Sequence, residues 1–572
     1  MVKHLRELAT LAIIFLLIVI VRIFISFYFA GPQSLGDAAV YDSIAQTVFD
    51  GTFTTSGAYS DDFPPGYPLL MSFAYLFGAD KVLIYHIQLI LNAIVAALII
   101  FPTYFLLKDW CSKEIAICGS CIVATLPTIS RSTGLLMSEN LFLPLTVFTL
   151  YFIYRAFSKD NKGYFFPILA GLSTLALVLT RWVGLAMVIA FIVGFIVYLY
   201  LQKKSGRKTQ TALKYTWPAI AGCFIPLAIW QLLTFINTNR SISYRDTGPS
   251  VSNTIEILTT DPFEIIRVIV LQIDYVLLSS YVIFTILAAY LVINLISHPI
   301  HLTKYLSGKF KSRSDSLRIM AIIALVFIFF TSIFPLPNLI TYNSFMYGRF
   351  YDPIIPFVFI FGIIGLQVTV NQRNTIKNRS GMYFIGASML ASIFAALTLS
   401  WNTHFDILQN ASLPYLYLLP TSIGITIILA LFGILFPSIL VVGRKSIHIM
   451  RGFFIAILVM NVILSVPMYQ TEIQFSNNFD NIGVIGKVID HTIDPDAVII
   501  FDNSSLDPPW DLVFYALIDY WVVNDLRSIN LRDIALSGDY AALQDGGYII
   551  TTLAGDRKPV YTSPAGLSLY HL

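Results

Sequence analysis

The residues best placed to do chemistry in this chain are a few carboxylates and guanidiniums at the edges of long apolar runs, where a charge is costly to keep. Residues 34–70 hold no Lys or Arg but carry Asp37, Asp42, Asp50, Asp61 and Asp62. Helical spacing puts Asp37, Tyr41, Ile44, Ala45 and Val48 on one face, so the Asp37 carboxylate sits on a mostly apolar side, where partial burial can raise its pKa. Its plain alternative is a capping carboxylate on a surface helix. Glu139 stands where an external loop re-enters an apolar run beside residues 141–144, a place where an ionisable group lines a cavity or takes a partner. A pair with Arg131, or a helix cap after Ser138, would satisfy it equally well. Arg349 marks the outer edge of another run. A guanidinium there can meet an anion bidentately or anchor to lipid headgroups. Arg131 and Arg181 are lesser candidates, since lone Arg residues at span ends commonly snorkel. Tyr41 can hydrogen-bond within a site or act as an interfacial aromatic. A divalent metal shared by Asp37 and Glu139 is possible through oxygen ligands, though two separated carboxylates are a weak signature.

These residues need elements to hold them. Asp37 to Phe49 reads as a short helix, with Ser34 or Gly36 to cap it, Asp37 in the first turn and Gly51 to stop it. The segment Phe63-Pro64-Pro65-Gly66-Tyr67-Pro68 then turns the chain stiffly into the next apolar run. The 572 residues are 56% hydrophobic and 12% charged, with a mean hydropathy of +0.74. A water-soluble protein with that balance would have no surface to show, so the chain is a polytopic α-helical membrane protein. Runs near 9–30, 82–106, 115–130, 141–157, 164–180, 183–201, 215–236, 271–296, 318–336, 351–370, 382–400, 415–440 and 452–468 give about 13 candidate spans. Basic residues concentrate in alternate loops, among them Lys108 and Lys113, Lys203 and Lys204, and Arg444, Lys445 and Arg451. The positive-inside rule then sets the N-terminus in the cytoplasm and Asp37 outside, and an odd span count sends the C-terminus out.

Composition shifts near residue 469. Residues 1–468 read as a transmembrane domain with an external loop at 31–81, and 469–572 as a small extracytoplasmic α/β domain. In the latter, Ala497–Phe501 and Tyr548–Thr552 look like buried strands, Leu512–Val523 like a helix, and Pro559–Tyr561 and Leu567–His571 like short terminal strands. The net charge of +3 comes from scattered basic residues and makes no nucleic-acid surface. Cys118-Gly-Ser-Cys121 has redox-pair spacing but lies in an apolar run with no second pair, so packing explains it. His86 reads as a packed or interfacial residue.

Several short patterns resemble the GT-C membrane glycosyltransferases, particularly the protein O-mannosyltransferase and lipid A aminoarabinose transferase branch. They are Gly36-Asp37-x-x-x-Tyr41 with Pro64-Pro65-x-x-Pro68, then Ser138-Glu139-Asn140, Leu179-Thr180-Arg181-x-x-Gly184 and Gly348-Arg349-Phe350-x-x-Pro353. The chain departs from the pattern at Ala38, where the family's first-loop motif has a second acid. The resemblance implies a GT-C-like fold and transfer of a sugar from a polyprenyl-phosphate donor to a protein, lipid or glycan acceptor outside the membrane. Such a donor is already activated, and the chain shows no Gly-rich phosphate loop for a nucleotide. In that chemistry Asp37 is the candidate base, Glu139 orients the acceptor, and Arg349, with Arg131 and Arg181, stabilises the leaving phosphate. The expected setting is a cell membrane, or the endoplasmic reticulum in a eukaryote, with membrane lipids as neighbours. A transporter or flippase of lipid-linked sugars is the competing reading. It would place its acids at the bilayer midplane and show inverted repeats, whereas these acids gather on one external loop.

Overall fold

A computed structural model describes residues 2–32, 37–51, 63–158, 163–204, 217–225, 228, 262–297, 314–335, 348–371, 386–395, 413, 447–494, 496–504, 510–522, 526–531, 547–552 and 558–571. Its helices are α1 (Val2–Ser26), α2 (Asp37–Phe49), α3 (Gly66–Met71, continued by the 3-10 turn Ser72–Phe77), α4 (Lys81–Ala97), α5 (Ile100–Lys108), α6 (Lys113–Ala124), α7 (Pro127–Ser132), α8 (Glu139–Ala156), α9 (Phe165–Thr180) and α10 (Leu185–Lys204). Then come α11 (Pro262–Ser279), α12 (Ile283–Ser297), α13 (Ser314–Ile333), α14 (Ile355–Asn371), α15 (Ile447–Thr492) and α16 (Trp510–Asp519). The chain divides into two compact units. One comprises Met1–Val19, Ile94–Arg131 and Ser138–Met468, the other Ile20–Ala93, Ser132–Met137 and Tyr469–Leu572.

About thirteen spans are not what the helices give. Among the described residues, five are long and apolar enough to cross a bilayer: Arg6–Ser26, Lys81–Lys108, Trp182–Lys204, Asp315–Ile333 and Arg451–Thr492. A sixth is counted if Ile266–Ser279 and Ile283–Ile296, bent by 103°, form one broken span. The bend falls at Tyr281 and Val282, both with positive φ, a backbone state that costs a bulky or β-branched residue energy. Hydropathy overcounts because it sees apolar residues and not helix breaks. The run at 115–130 splits into α6 and α7 around Pro127, and that at 164–180 is a 16-residue helix that stops before Arg181. About 20 residues are needed to cross, and each of these helices is shorter than that. The candidate spans at 215–236, 382–400 and 415–440 lie wholly or partly outside the described residues.

In the first unit the helix ends sort by charge. Lys108 and Tyr104 donate to Glu7 at 3.1 and 3.0 Å, and Lys113 pairs with it at 3.8 Å. Tyr154, near the end of α8, donates to Asp109 at 3.0 Å, and Ser316, at the start of α13, to the Phe157 carbonyl at 3.3 Å. One end of the bundle therefore gathers the ends of α1, α5, α6, α8 and α13. The start of α8, roughly 25 Å away along its axis, carries Glu139.

In the second unit, α2 runs from Asp37 to Phe49 as the spacing predicts and is ended by Gly51 at φ 72°. The proposed caps Ser34 and Gly36 lie outside the described residues, as do Asp61 and Asp62. The C-terminal part is β-rich, in place of the α/β domain expected. Strands β1 (Ile499–Asp502), β2 (Leu526–Ile529), β3 (Tyr548–Thr551), β4 (Tyr561–Thr562) and β5 (Ser568–His571) form one sheet in the order β2-β1-β3-β5-β4. β1 is parallel to both β2 and β3, and the last three strands are antiparallel. The terminal strands make the difference, adding an antiparallel ribbon to a short parallel core. Ile485 and Ile489 of α15 and Ile518 of α16 cover one face with Phe501, Ile550 and Leu569.

Candidate active site

Within the first unit, three of the residues singled out by their chemistry meet. Glu139 is the first residue of α8 and is 5% exposed. Its Oε1 accepts from Arg349 Nε at 2.5 Å and pairs with the Arg181 guanidinium. Arg181 also donates to Ser138 Oγ at 3.2 Å, so Ser138 serves the arginine and makes no side-chain cap to α8. Burial alone would push the Glu139 carboxyl up, but the charges of Arg181 and Arg349 outweigh it and hold its pKa at about 2. The two arginine side chains keep 15% and 22% of their surface exposed, against 7% for the glutamate. A buried anion thus holds two cations that remain partly accessible, and the cluster carries one net positive charge.

The backbone around each arginine explains its position. Arg181 leaves α9 in an extended conformation, and the 3-10 turn Trp182–Gly184 carries the chain into α10. Gly184 lies so close to the Leu177 carbonyl that any Cβ would collide with that backbone. Arg349 sits in the 3-10 turn Gly348–Phe350, followed at once by a second turn, Asp352–Ile354, that leads into α14. A Cβ on Gly348 would strike the Tyr275 ring. The same tyrosine donates to Asp352 Oδ1 at 2.5 Å, so one ring from α11 braces the turn from both sides.

Beneath that turn lies an apolar cavity of ≈ 810 Å³. Val276, Ala324, Phe357 and Phe361 help line it, together with Tyr351 and Ile354 from the turns that carry Arg349 into α14. Gln272, 2% exposed, also faces it, with neither side-chain amide atom hydrogen-bonded. An unsatisfied amide in so apolar a wall is costly unless something supplies it with a partner.

The other expected site residues are placed separately. Arg131, on α7, is 7% exposed in the first unit. Asp37 and Tyr41 belong to the second, on α2. Asp37 is partly exposed, and Tyr41 is buried edge-on against Phe63 and Tyr67. The buried face of α2 is turned from the one the apolar pattern gave: it comprises Ala38, Ala39, Tyr41, Asp42, Ile44 and Ala45. Sequence reasoning passed over Asp42 because an acid breaks an apolar stripe. The available signal was Lys81, a lone cation at the head of an apolar helix following an otherwise acidic loop. As for a metal, no group of three or more His, Cys, Asp or Glu is gathered to hold one among the described residues. Glu139, between two guanidiniums, is a poor divalent ligand.

Compared with known structures, the chain resembles ArnT from Cupriavidus metallidurans in its apo state, with a TM-score of 0.50 at 13% identity, over 94% of this chain and 88% of that one. The same protein bound to undecaprenyl phosphate gives a TM-score of 0.47 at 12% identity over the same shares. The archaeal oligosaccharyltransferase AglB from Archaeoglobus fulgidus, in complex with an inhibitory peptide and a dolichol-phosphate, gives 0.41 at 13% identity over 96% and 69%. The first of these shows the fold alone, that of an integral membrane protein built like ArnT over most of its length. In sequence, residues 62–230 match the family model of dolichyl-phosphate-mannose-protein mannosyltransferases. No curated protein sequence matches the chain.

Proposed function

We propose that the chain is an integral membrane glycosyltransferase that moves a sugar from a polyprenyl-phosphate donor to a protein, lipid or glycan acceptor on the extracytoplasmic face. The observation that carries this reading is the pair of partly exposed guanidiniums, Arg181 and Arg349, fixed on one buried carboxylate beside an apolar cavity. A phosphate esterified to a long apolar chain has these two needs, cations for its head and a dry wall for its tail. The GT-C-like fold and the family match over residues 62–230 point the same way.

In this reading Arg349 and Arg181 receive the charge that develops on the leaving phosphate, and Glu139 keeps them apart and aligned. Asp37 takes the proton from the acceptor hydroxyl or amide as it attacks the sugar's anomeric carbon. Tyr41 shapes the same helix face, and Arg131 is a reserve contact for phosphate. Residues 1–468 would be the catalytic membrane domain and 469–572 its extracytoplasmic companion. The test is turnover of purified protein with a panel of radiolabelled polyprenyl-phosphate sugars, wild type against Asp37→Asn, with donor binding measured in parallel. Sugar transfer or release that is lost in Asp37→Asn while donor binding persists is the expected result. No turnover with any donor, together with movement of labelled lipid across a vesicle membrane, would make the protein a transporter.

A further inference from the structure

Asp42, a heavily tied polar group among the described residues of the second unit, is one that the proposed mechanism does not use. Its carboxylate is 3% exposed. Oδ1 accepts from Tyr75 at 2.7 Å and from Gln88 Nε2 at 2.7 Å, and Oδ2 accepts from Lys81 at 2.9 Å. Lys81, 6% exposed, also donates to Gln46 at 3.3 Å and Tyr75 at 3.2 Å. From the C-terminal part, Tyr520 donates to Gln88 Oε1 at 3.0 Å. Neighbouring Asp519 feels the same pair: burial, with the charge of Asp42, pushes its carboxyl up to about 6, and Lys81 opposes the rise. Four segments, α2, the 72–77 turn, the start of α4 and the end of α16, therefore converge on one buried ion pair.

A buried pair is rarely kept for stability, because desolvation offsets most of its attraction. What it adds is direction. Direction is what α2 lacks. A 13-residue helix is marginal alone, and with Ala38, Ala39 and Ala45 making up half of its buried face, Tyr41 and Ile44 are the large apolar side chains there that resist its rotation. Slipping the helix by one residue turns it by about 100° and would carry Asp42 out of its ring of partners. Asp37 lies five positions earlier, about 140° around the axis from Asp42, so whatever fixes one fixes the other. We infer that Asp42 is a positioning residue, whose buried contacts with Lys81, Tyr75 and Gln88 set the rotation of α2, and that the C-terminal part takes hold of the same point through Tyr520. The inference rests on the reading of Asp37 as the base.

The experiment uses the full-length protein in nanodiscs and measures kcat, donor KM and the pH–rate profile for wild type, Asp37→Asn, Asp42→Asn and Tyr520→Phe. Misplacing a reacting group by an ångström or so costs roughly 10- to 100-fold. Asp42→Asn is expected to lose that much kcat with donor KM unchanged. Its residual activity should keep the acidic limb of the profile, because the base is still present. Tyr520→Phe, which loses only a hydroxyl, should show a smaller fall of the same kind. An unchanged kcat in folded Asp42→Asn overturns the inference, as does a vanished acidic limb, which would make Asp42 the base. If Asp42→Asn does not fold, Gln88→Met takes its place under the same criteria. Full turnover in Asp37→Asn removes the base reading and this inference together. Loss in Asp37→Asn with none in Asp42→Asn removes this inference alone.

Discussion

Glu139 shows how much one carboxylate can decide. Its folded pKa of about 2 lies below the ordinary carboxyl value, so its pairing stabilises the fold fully above the ordinary range and is lost only as pH falls toward 2. At any working pH it is an anion that takes no proton, which suits a holder of cations. Replacing it by Gln would remove the negative charge that both guanidiniums share. Removing one partner of a buried pair costs about 3 kcal/mol or more. Glu139→Gln should therefore melt several degrees lower in detergent and bind the donor more weakly, both read by thermal shift with and without donor. A variant that melts and binds like wild type would show that the arginines do not depend on it. The sequence marked Glu139, Arg181 and Arg349 one at a time, because each is a charge at the edge of an apolar run. It did not show them joined. Glu139 and Arg349 are 210 positions apart, and no spacing rule reaches that far. Asp42 was hidden for the converse reason, being a charge whose burial depends wholly on partners in other segments.

At the level of elements, the turns that follow α9 and precede α14 matter more than the helices themselves. The pattern Gly348-Arg349-Phe350-x-x-Pro353 was visible as a short motif, but its reason is a contact, the Tyr275 ring passing against Gly348 and bonding Asp352. Gly348→Ala should force the ring or the turn aside and lower turnover although Arg349 is untouched, at a cost of about 1–3 kcal/mol in stability. Tyr275→Phe keeps the ring and loses the hydroxyl, at about 1 kcal/mol. Because the two residues touch, their effects should be non-additive in a double-mutant cycle followed by thermal melting and kcat. Strict additivity would mean that the ring does not brace the turn. The helices were legible in kind but not in number. A long run such as that near 183–201 became a span because nothing interrupts it. The run at 115–130 did not, since Pro127 divides it, and a hydropathy window averages over that break.

For the molecule as a whole, sidedness has to come from charge, since a count of spans no longer sets it. In the first unit, the end of the bundle that gathers Glu7, Lys108, Lys113 and Asp109 is separated along α8 from the end that carries Glu139, Arg181 and Arg349. α10 starts just after Arg181 and finishes at Lys203 and Lys204, so its basic end also lies a full helix length from the arginines. The positive-inside rule predicts a cytoplasmic basic end and an extracytoplasmic arginine end, the side on which the proposed lipid-linked sugar donor would be used. The same rule, applied to the basic loops along the chain, predicts that the C-terminal sheet lies outside. Single cysteines test both statements. The native Cys121 and Cys223 are buried and Cys111 and Cys118 are half-buried, which keeps background labelling low. Val560 is 53% exposed beside β4, and Lys204 is exposed at the end of α10. With a membrane-impermeant maleimide on intact cells, Val560→Cys should label at once and Lys204→Cys only after the membrane is opened. Labelling of Lys204→Cys from outside would invert the bundle and put the arginine pair in the cytoplasm, where the proposed donor site would have to be abandoned. Protection of Val560→Cys until permeabilisation would move the C-terminal sheet inside and separate it from any extracytoplasmic acceptor.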